Sequence, residues 1–355
     1  MPSRTDRFGP FTTTVVGSMP KPLWILKRDP RSVAEHDHGS EVEWAFEGDM
    51  LRNAQDDATR VMLQTQAQAG IDLVSDGEQR REYYITYVTR QLGGLDYKTL
   101  AEKKIRSGRV GRVGRCVGPV TRAHPILVDD VTFLAKESPR PFKITMPGPM
   151  TVADSTADEY YRNDKDYVFA VAEALNEEAL ALDALGVSVI QFDEPVYSRQ
   201  PDRAVEIGIP ALDRAVAGLK NAKAAVHVCY GYPHKGIHRE RKESYPTIIA
   251  ALEASSIDIL SLEFEVSKID PKVLRLCPSK TVMFGCIDVG HGEAAQRIET
   301  PEHVCEKLLA AAEHLSPEQI MAAPDCGLVK IDVPTARAKL QAMAAGARLA
   351  RARLS

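Results

Sequence analysis

LRNAQDDATRVMLQTQAQAGIDLVSDGE, residues 51–78, is the stretch on which the fold reading turns. Leu51, Ala54, Ala58, Val61, Met62, Thr65 and Ala69 recur at helical spacing, and Gly70 ends the helix. Ile71-Asp72-Leu73-Val74-Ser75 then reads as a short strand that runs into the polar Asp76-Gly77-Glu78. The plan returns downstream. A helical pattern from Val168 to Leu185 stops at Gly186, Val187 to Phe192 form the next strand, and Asp193-Glu194-Pro195 follow it. A third copy runs from Ile248 to Ala254, then Ile257 to Leu262, and ends at Glu263. Helices alternating with short β-branched runs imply parallel strands. Candidate strands fall at 12–18, 71–76, 143–147, 187–192, 224–229, 257–263, 281–287 and 319–325. That is the strand count of an α/β (β/α)8 TIM barrel, whose active sites lie at the C-terminal strand ends. A doubly wound sheet is disfavoured, because no glycine-rich phosphate loop follows the first strand.

The length of 355 residues suits one such barrel spanning 1–355, with long insertions after strands one and two. The first insertion, 19–70, holds the helix above and a proline-rich lead with Pro20, Pro22 and Pro30. The second, about 79–142, contains RREYYITYVTRQLGG and KKIRSGRVGRVGRC and is expected to be a hairpin-like excursion over one barrel face. A net charge of −4 gives no basic field for nucleic acid. No apolar run reaches the roughly 18 residues that span a bilayer. The opening MPSRTDRFGPFTTTVVGS has no apolar core of a signal peptide, so a cytoplasmic location is expected. Six cysteines do not make a disulfide framework and are expected to stay as thiols.

The strand ends carry the chemistry. Strand five ends in His227-Val228-Cys229, strand six in Glu263, and the last strand in Pro324-Asp325-Cys326-Gly327. Residues i and i+2 share a strand face, so His227 and Cys229 can point together, and a barrel gathers distant strand ends round one opening. One imidazole, one carboxylate and two thiolates compose a four-coordinate Zn2+ set, although a single buried cysteine is more often a small hydrophobe. Cys305, Cys286, Cys277 and Cys116 take that plainer reading. Two thiolates and a carboxylate leave the metal electron-rich, which suits keeping a substrate thiol ionised and nucleophilic rather than activating water. The chemistry implied is alkyl transfer to sulfur.

The motifs Thr12-Thr13-Thr14-Val15-Val16-Gly17-Ser18, Asp76-Gly77-Glu78, Gly148-Pro149-Met150-Thr151, Gln191-Phe192-Asp193-Glu194-Pro195, His227-Val228-Cys229-Tyr230 and Pro324-Asp325-Cys326-Gly327-Leu328 follow one another from residue 12 to 328. As a set they resemble the C-terminal catalytic barrel of the cobalamin-independent methionine synthase family. The resemblance implies a zinc-dependent methyltransferase that methylates the thiol of homocysteine to give methionine. It implies His227, Cys229, Glu263 and Cys326 as the zinc ligands. Glu78 and Asp193 would hold the substrate amino group, and Val16 and Ser18 would surround its carboxylate. His291 would be a candidate proton donor to the leaving group. A salt bridge of Glu78 or Asp193 with Arg80, Arg81 or Arg199 is the alternative for the two carboxylates.

The departures concern the methyl donor. The family synthase has two barrels, and the one that helps bind a polyglutamyl folate tail has no counterpart here. The tryptophan-bearing segment after strand three is replaced by Ala153-Asp154-Ser155-Thr156-Ala157-Asp158-Glu159, and the family's D-x-H becomes Asp288-Val289-Gly290-His291. The loop from His234 to Tyr245 is also longer and more charged. The donor is therefore open between a methyl-tetrahydrofolate and a methylcobalamin-type compound, the latter on a methyl-carrier protein partner, and a homo-oligomer is compatible with the chain. The basic run Lys103, Lys104, Arg106, Arg109, Arg112 and Arg115 reads as a solvated hairpin, with binding of an anionic donor or a protein partner as the alternative. The nearest rival is a zinc thiol alkyltransferase that joins coenzyme M to an epoxide, which has no ammonium for Glu78 and Asp193. A non-catalytic zinc-stabilised binding protein is the third reading.

Overall fold

Short apolar runs, each entered from a helix, build the molecule. The computed structural model describes residues 8–29, 42–104, 110–230, 243–289 and 293–354. In chain order the strands are β1 (Thr12–Thr13), β2 (Val74–Ser75), β3 (Gly93–Lys104), β4 (Val110–Thr121), β5 (Phe142–Pro147) and β6 (Thr156–Asp158). They are followed by β7 (Val189–Asp193), β8 (Lys223–Val228), β9 (Ile259–Leu262), β10 (Thr281–Ile287) and β11 (Ile320–Pro324). Eight of them pair in parallel in the order β1-β11-β10-β9-β8-β7-β5-β2. A parallel bridge between Thr14 and Leu73 joins the two ends, so the sheet closes into the expected (β/α)8 barrel.

The closing seam is shorter than the sequence suggests. Asp72 replaces ladder bonds with its side chain: Oδ2 accepts from Thr13 N and from Thr13 Oγ1, each at 3.0 Å. Arg351, near the end of the last helix Val333–Leu354, donates to Asp72 Oδ2 and to the carbonyls of Pro10 and Phe11. Beyond Thr14 the chain leaves the sheet and crosses the barrel mouth. There the Val16 carbonyl accepts from Gln191 Nε2 and the Ser18 carbonyl from Leu328 N. The helix Gly48–Ala69 delivers the chain to this seam and ends where Gly70 adopts φ 90°, a left-handed cap that glycine adopts without strain.

Inward-facing residues alternate along each strand. Leu73, Val189, Ala225, Ile259, Met283, Met321 and Ala323 form a buried cluster inside the barrel. Two residues further along their strands lie Gln191, His227 and Ser261, and two further still Asp193, Cys229 and Glu263. The period of two thus carries the strands from an apolar floor to a polar mouth.

The excursion is an antiparallel hairpin of β3 and β4, with β6 added parallel to β4. Gly94, at φ 83°, packs so close that a Cβ would meet the Pro119 carbonyl at 2.3 Å, so the hairpin requires glycine there. The segment 153–159 anchors the hairpin, since β6 within it pairs with β4. The solvated reading of the basic run is corrected for two of its members. Lys103 Nζ donates to the carbonyls of Ala153 (3.0 Å) and Thr156 (2.6 Å), and Arg115 pairs with Glu159 and Asp96. Lys104 and Arg112 are exposed, while Arg106 and Arg109 lie outside the described residues. Cys116 lies buried within β4.

One buried ion pair joins the last helix to the barrel. Lys339 Nζ lies 3.0 and 2.9 Å from the two oxygens of Glu299 and donates to the Arg297 carbonyl, while Glu299 Oε1 accepts from Asp288 N. Lys339→Met leaves a buried carboxylate without its cation and is expected to cost about 3–5 kcal/mol in urea unfolding, part of which Lys339→Met/Glu299→Leu should restore. A loss below about 1 kcal/mol in the single variant would show that water already reaches the pair.

Candidate active site

His227 sits in β8 and Cys229 just past it, two residues apart and on the inward face that starts at Ala225. Cys326 follows β11. The side-chain donor atoms of all three lie within 4.8 Å of one another, and the two Sγ atoms are 4.0 Å apart. Two thiolates on one tetrahedral zinc stand about 3.8 Å apart, so this spacing fits the ion. The imidazole is prepared in the same sense. His227 Nδ1 lies 3.0 Å from Ser261 Oγ, whereas Nε2 is buried and has no hydrogen-bond partner. With Nδ1–H donated to Ser261, Nε2 would keep the lone pair that a metal requires.

Glu263 ends β9 and is fully buried, but it is not one of the three residues whose donor atoms cluster. Its Oε2 accepts from Tyr230 N at 3.2 Å, which holds the carboxylate one residue from Cys229. Tyr245 ties the ends of β8 and β9 together, since its hydroxyl donates to the Val228 carbonyl and accepts from Glu263 N. Asp325 supports the other side by accepting from the backbone N–H groups of Phe264, Glu265 and Val266. Burial pushes the Asp325 carboxyl up to about 6, against the pull of those three donors.

Glu78 and Asp193 meet in the same mouth. Glu78, at φ 57°, accepts from Thr145 Oγ1 at 2.8 Å and packs against the first-strand crossing, where a Cβ on Gly17 would come within 3.0 Å of its Oε1. Such a left-handed conformation at a non-glycine residue aims the carboxylate inward at a cost in strain. The arginine alternative holds for Glu78 in a loose form: Arg81 Nη1 lies 3.6 Å from Oε1. Arg80 pairs instead with Asp56 and Asp130, and Arg199 with Asp154. Among the described residues Asp193 has no arginine within ion-pair distance. Its Oδ1 accepts from Gln191 Nε2 at 2.7 Å. Burial pushes the Asp193 carboxyl up to about 6, opposed by His227 and assisted by Glu78. Two buried carboxylates beside a set of soft metal donors can receive a ligand that is cationic at one end and a thiol at the other.

Sequence reasoning missed Lys143, Thr145, Gln191 and Ser261, all inward-facing residues beneath the strand ends. The signal was their position, two or four residues before a functional residue of their own or a neighbouring strand. Beside the site, a cleft between the hairpin and the loops after β5 and β7 is lined by Tyr83, Tyr84, Tyr97, Arg112, Asp154 and Arg199. His291 and most of the loop from His234 to Tyr245 lie outside the described residues. No helix among the described residues is long and apolar enough to cross a membrane.

A family model described as the cobalamin-independent synthase catalytic domain matches residues 11–349. A methionine synthase of Saccharolobus solfataricus is 30% identical over 346 residues, covering 96% of this chain and 95% of that protein. One of Sulfurisphaera tokodaii is 30% identical over 350 residues, covering 98% and 95%. Among solved structures, a B12-independent methionine synthase from Shewanella sp. W3-18-1, in complex with selenomethionine, superposes with a TM-score of 0.87 at 36% identity, covering 98% of this chain and 99% of that one. A methyltransferase from Methanosarcina mazei, with a TM-score of 0.61 at 13% identity, shares the fold.

Proposed function

The chain belongs to the cobalamin-independent methionine synthase family by its catalytic domain, and from that premise we propose that it methylates homocysteine at a zinc centre, with Glu78 and Asp193 as the clamp for the amino group. The observation that carries the reading is the joint one: the donor atoms of His227, Cys229 and Cys326 lie within 4.8 Å of one another, in one mouth with two buried carboxylates.

His227, Cys229 and Cys326 would hold the zinc, and Glu263 would complete the set from the end of β9. When bound, the ion lowers the pKa of a substrate thiol so that the thiolate is available near neutral pH. The remaining work belongs to the chain. Glu78 and Asp193 bind and orient the ammonium group, Val16 and Ser18 border the carboxylate, and Gln191 holds Asp193 in place. Fixing the nucleophile in one orientation beside the incoming methyl group removes much of the entropic part of the barrier. His291 would return a proton to the leaving group. The selenomethionine bound by the Shewanella protein is a product analogue, and its methionine-like end suits this clamp. The whole chain, 1–355, acts in this reading as one catalytic barrel with its excursion at about 79–142.

Donor choice falls between methyl-tetrahydrofolate and a methylcobalamin-type compound, approaching along the cleft of tyrosines and Arg112. The chain spans 95% of relatives that are themselves named methionine synthases, so its length does not separate the two donors. The test is methionine formation from homocysteine by the zinc-loaded protein with each donor in turn. Methionine is expected with at least one. Product from an epoxide and coenzyme M, with none from homocysteine, would overturn the reading.

A further inference from the structure

Lys143 is a cation inside the barrel floor. It is fully buried on β5, level with the apolar cluster, and its Nζ lies 3.8 Å from Met283 Sδ. Among the described residues it has no carboxylate within ion-pair distance. Its hydrogen bond goes to Gln191 Oε1 at 2.5 Å. The other end of that amide, Nε2, donates to Asp193 Oδ1 at 2.7 Å and to the Val16 carbonyl at 2.9 Å. Two residues along β5 from Lys143, Thr145 donates to Glu78.

From this chain of contacts we infer that Lys143 is a positioning residue for the substrate's amino group, acting through Gln191 on Asp193. An ammonium is a donor only, so it requires the carbonyl oxygen of Gln191 and thereby fixes which way the amide points. The amide nitrogen must then face Asp193 and Val16, and Asp193 Oδ1 is occupied. Oδ2 is left as the acceptor for a ligand. The same cation lies beneath Asp193, and its charge favours the ionised form of that carboxylate. Burial is the larger influence on Lys143 and holds it down at about 7 even with Asp193 and Glu78 drawing it up. A buried charge of this kind is costly for stability, and the amide relay to the clamp gives it a role that an apolar residue could not fill.

The inference rests on reading Glu78 and Asp193 as the ammonium clamp, and the experiment separates the two. Methionine and its des-amino analogue γ-methylthiobutyrate are titrated calorimetrically into zinc-loaded wild type, Lys143→Met and Lys143→Met/Gln191→Leu. The double variant replaces both hydrogen-bond partners by apolar groups of similar size and guards against misfolding of the single one. Wild type is expected to prefer methionine. In both variants the methionine Kd should rise more than about tenfold, while the analogue's Kd stays within about twofold and the zinc content is unchanged. Retained methionine affinity in the folded variants, or equal weakening of both ligands, would overturn the role of Lys143. A wild type that does not distinguish the two ligands would bring down the clamp itself.

Discussion

A Cys326→Ser protein is expected to carry less than about a tenth of the wild-type zinc and to form methionine more than about a hundredfold more slowly. Losing a residue that merely supports a metal ligand already costs about 10–100-fold, and Cys326 supplies a donor atom itself. A serine hydroxyl does not ionise near neutral pH and leaves a hard oxygen where the site is built of soft sulfur. Cys326 is only partly buried, so the exchange should leave the fold intact. Cys286 is the matched control. It is fully buried on β10, its Sγ contacts the Ala323 carbonyl, and burial holds its thiol protonated. Cys286→Ser should therefore lower stability and retain zinc. Metal content by elemental analysis, read with the rate of methionine formation, separates the two. A Cys326→Ser protein with full activity and no zinc would refute the metal centre.

The barrel was legible because its helix-to-strand units are local. Helical spacing, a terminating glycine and a short β-branched run occur within 51–78, and each of the eight expected strands overlaps a strand of the ring. The seam was harder to read, since Asp72 and Arg351 make bonds there across long separations that no local pattern reveals. The site divides in the same manner. Polar residues that end strands, such as Asp193, Cys229 and Glu263, stand out against apolar runs. Lys143 and Thr145 alternate with Phe142, Ile144 and Met146, and by the usual rule polar alternation points to solvent. In a closed barrel that face is the interior, so the pattern marked the site while seeming to mark a surface.

Neutralising the clamp should separate binding from chemistry. Glu78→Gln and Asp193→Asn each keep the shape and remove a charge, and each is expected to raise the KM for homocysteine about 10–100-fold with a smaller change in kcat, the scale of one lost charge-assisted hydrogen bond. The pH response follows from Asp193. Burial raises its carboxyl to about 6, so unlike an ordinary aspartate it takes up a proton within the working range. Ionised Asp193 is the form that holds an ammonium; hence kcat/KM for homocysteine should fall as pH drops through about 6, approaching tenfold per unit below it. The sign for stability is opposite. A carboxylate whose folded pKa is raised opposes folding above its ordinary pKa, where the unfolded chain is already ionised, and that cost is relieved as pH falls. A bound ammonium offsets it, so methionine should stabilise the protein more at pH 8 than at pH 5. Asp193→Asn should abolish the Asp193-dependent part of that difference, whereas a structural aspartate with no ligand role would leave methionine's stabilisation unchanged at both pH values.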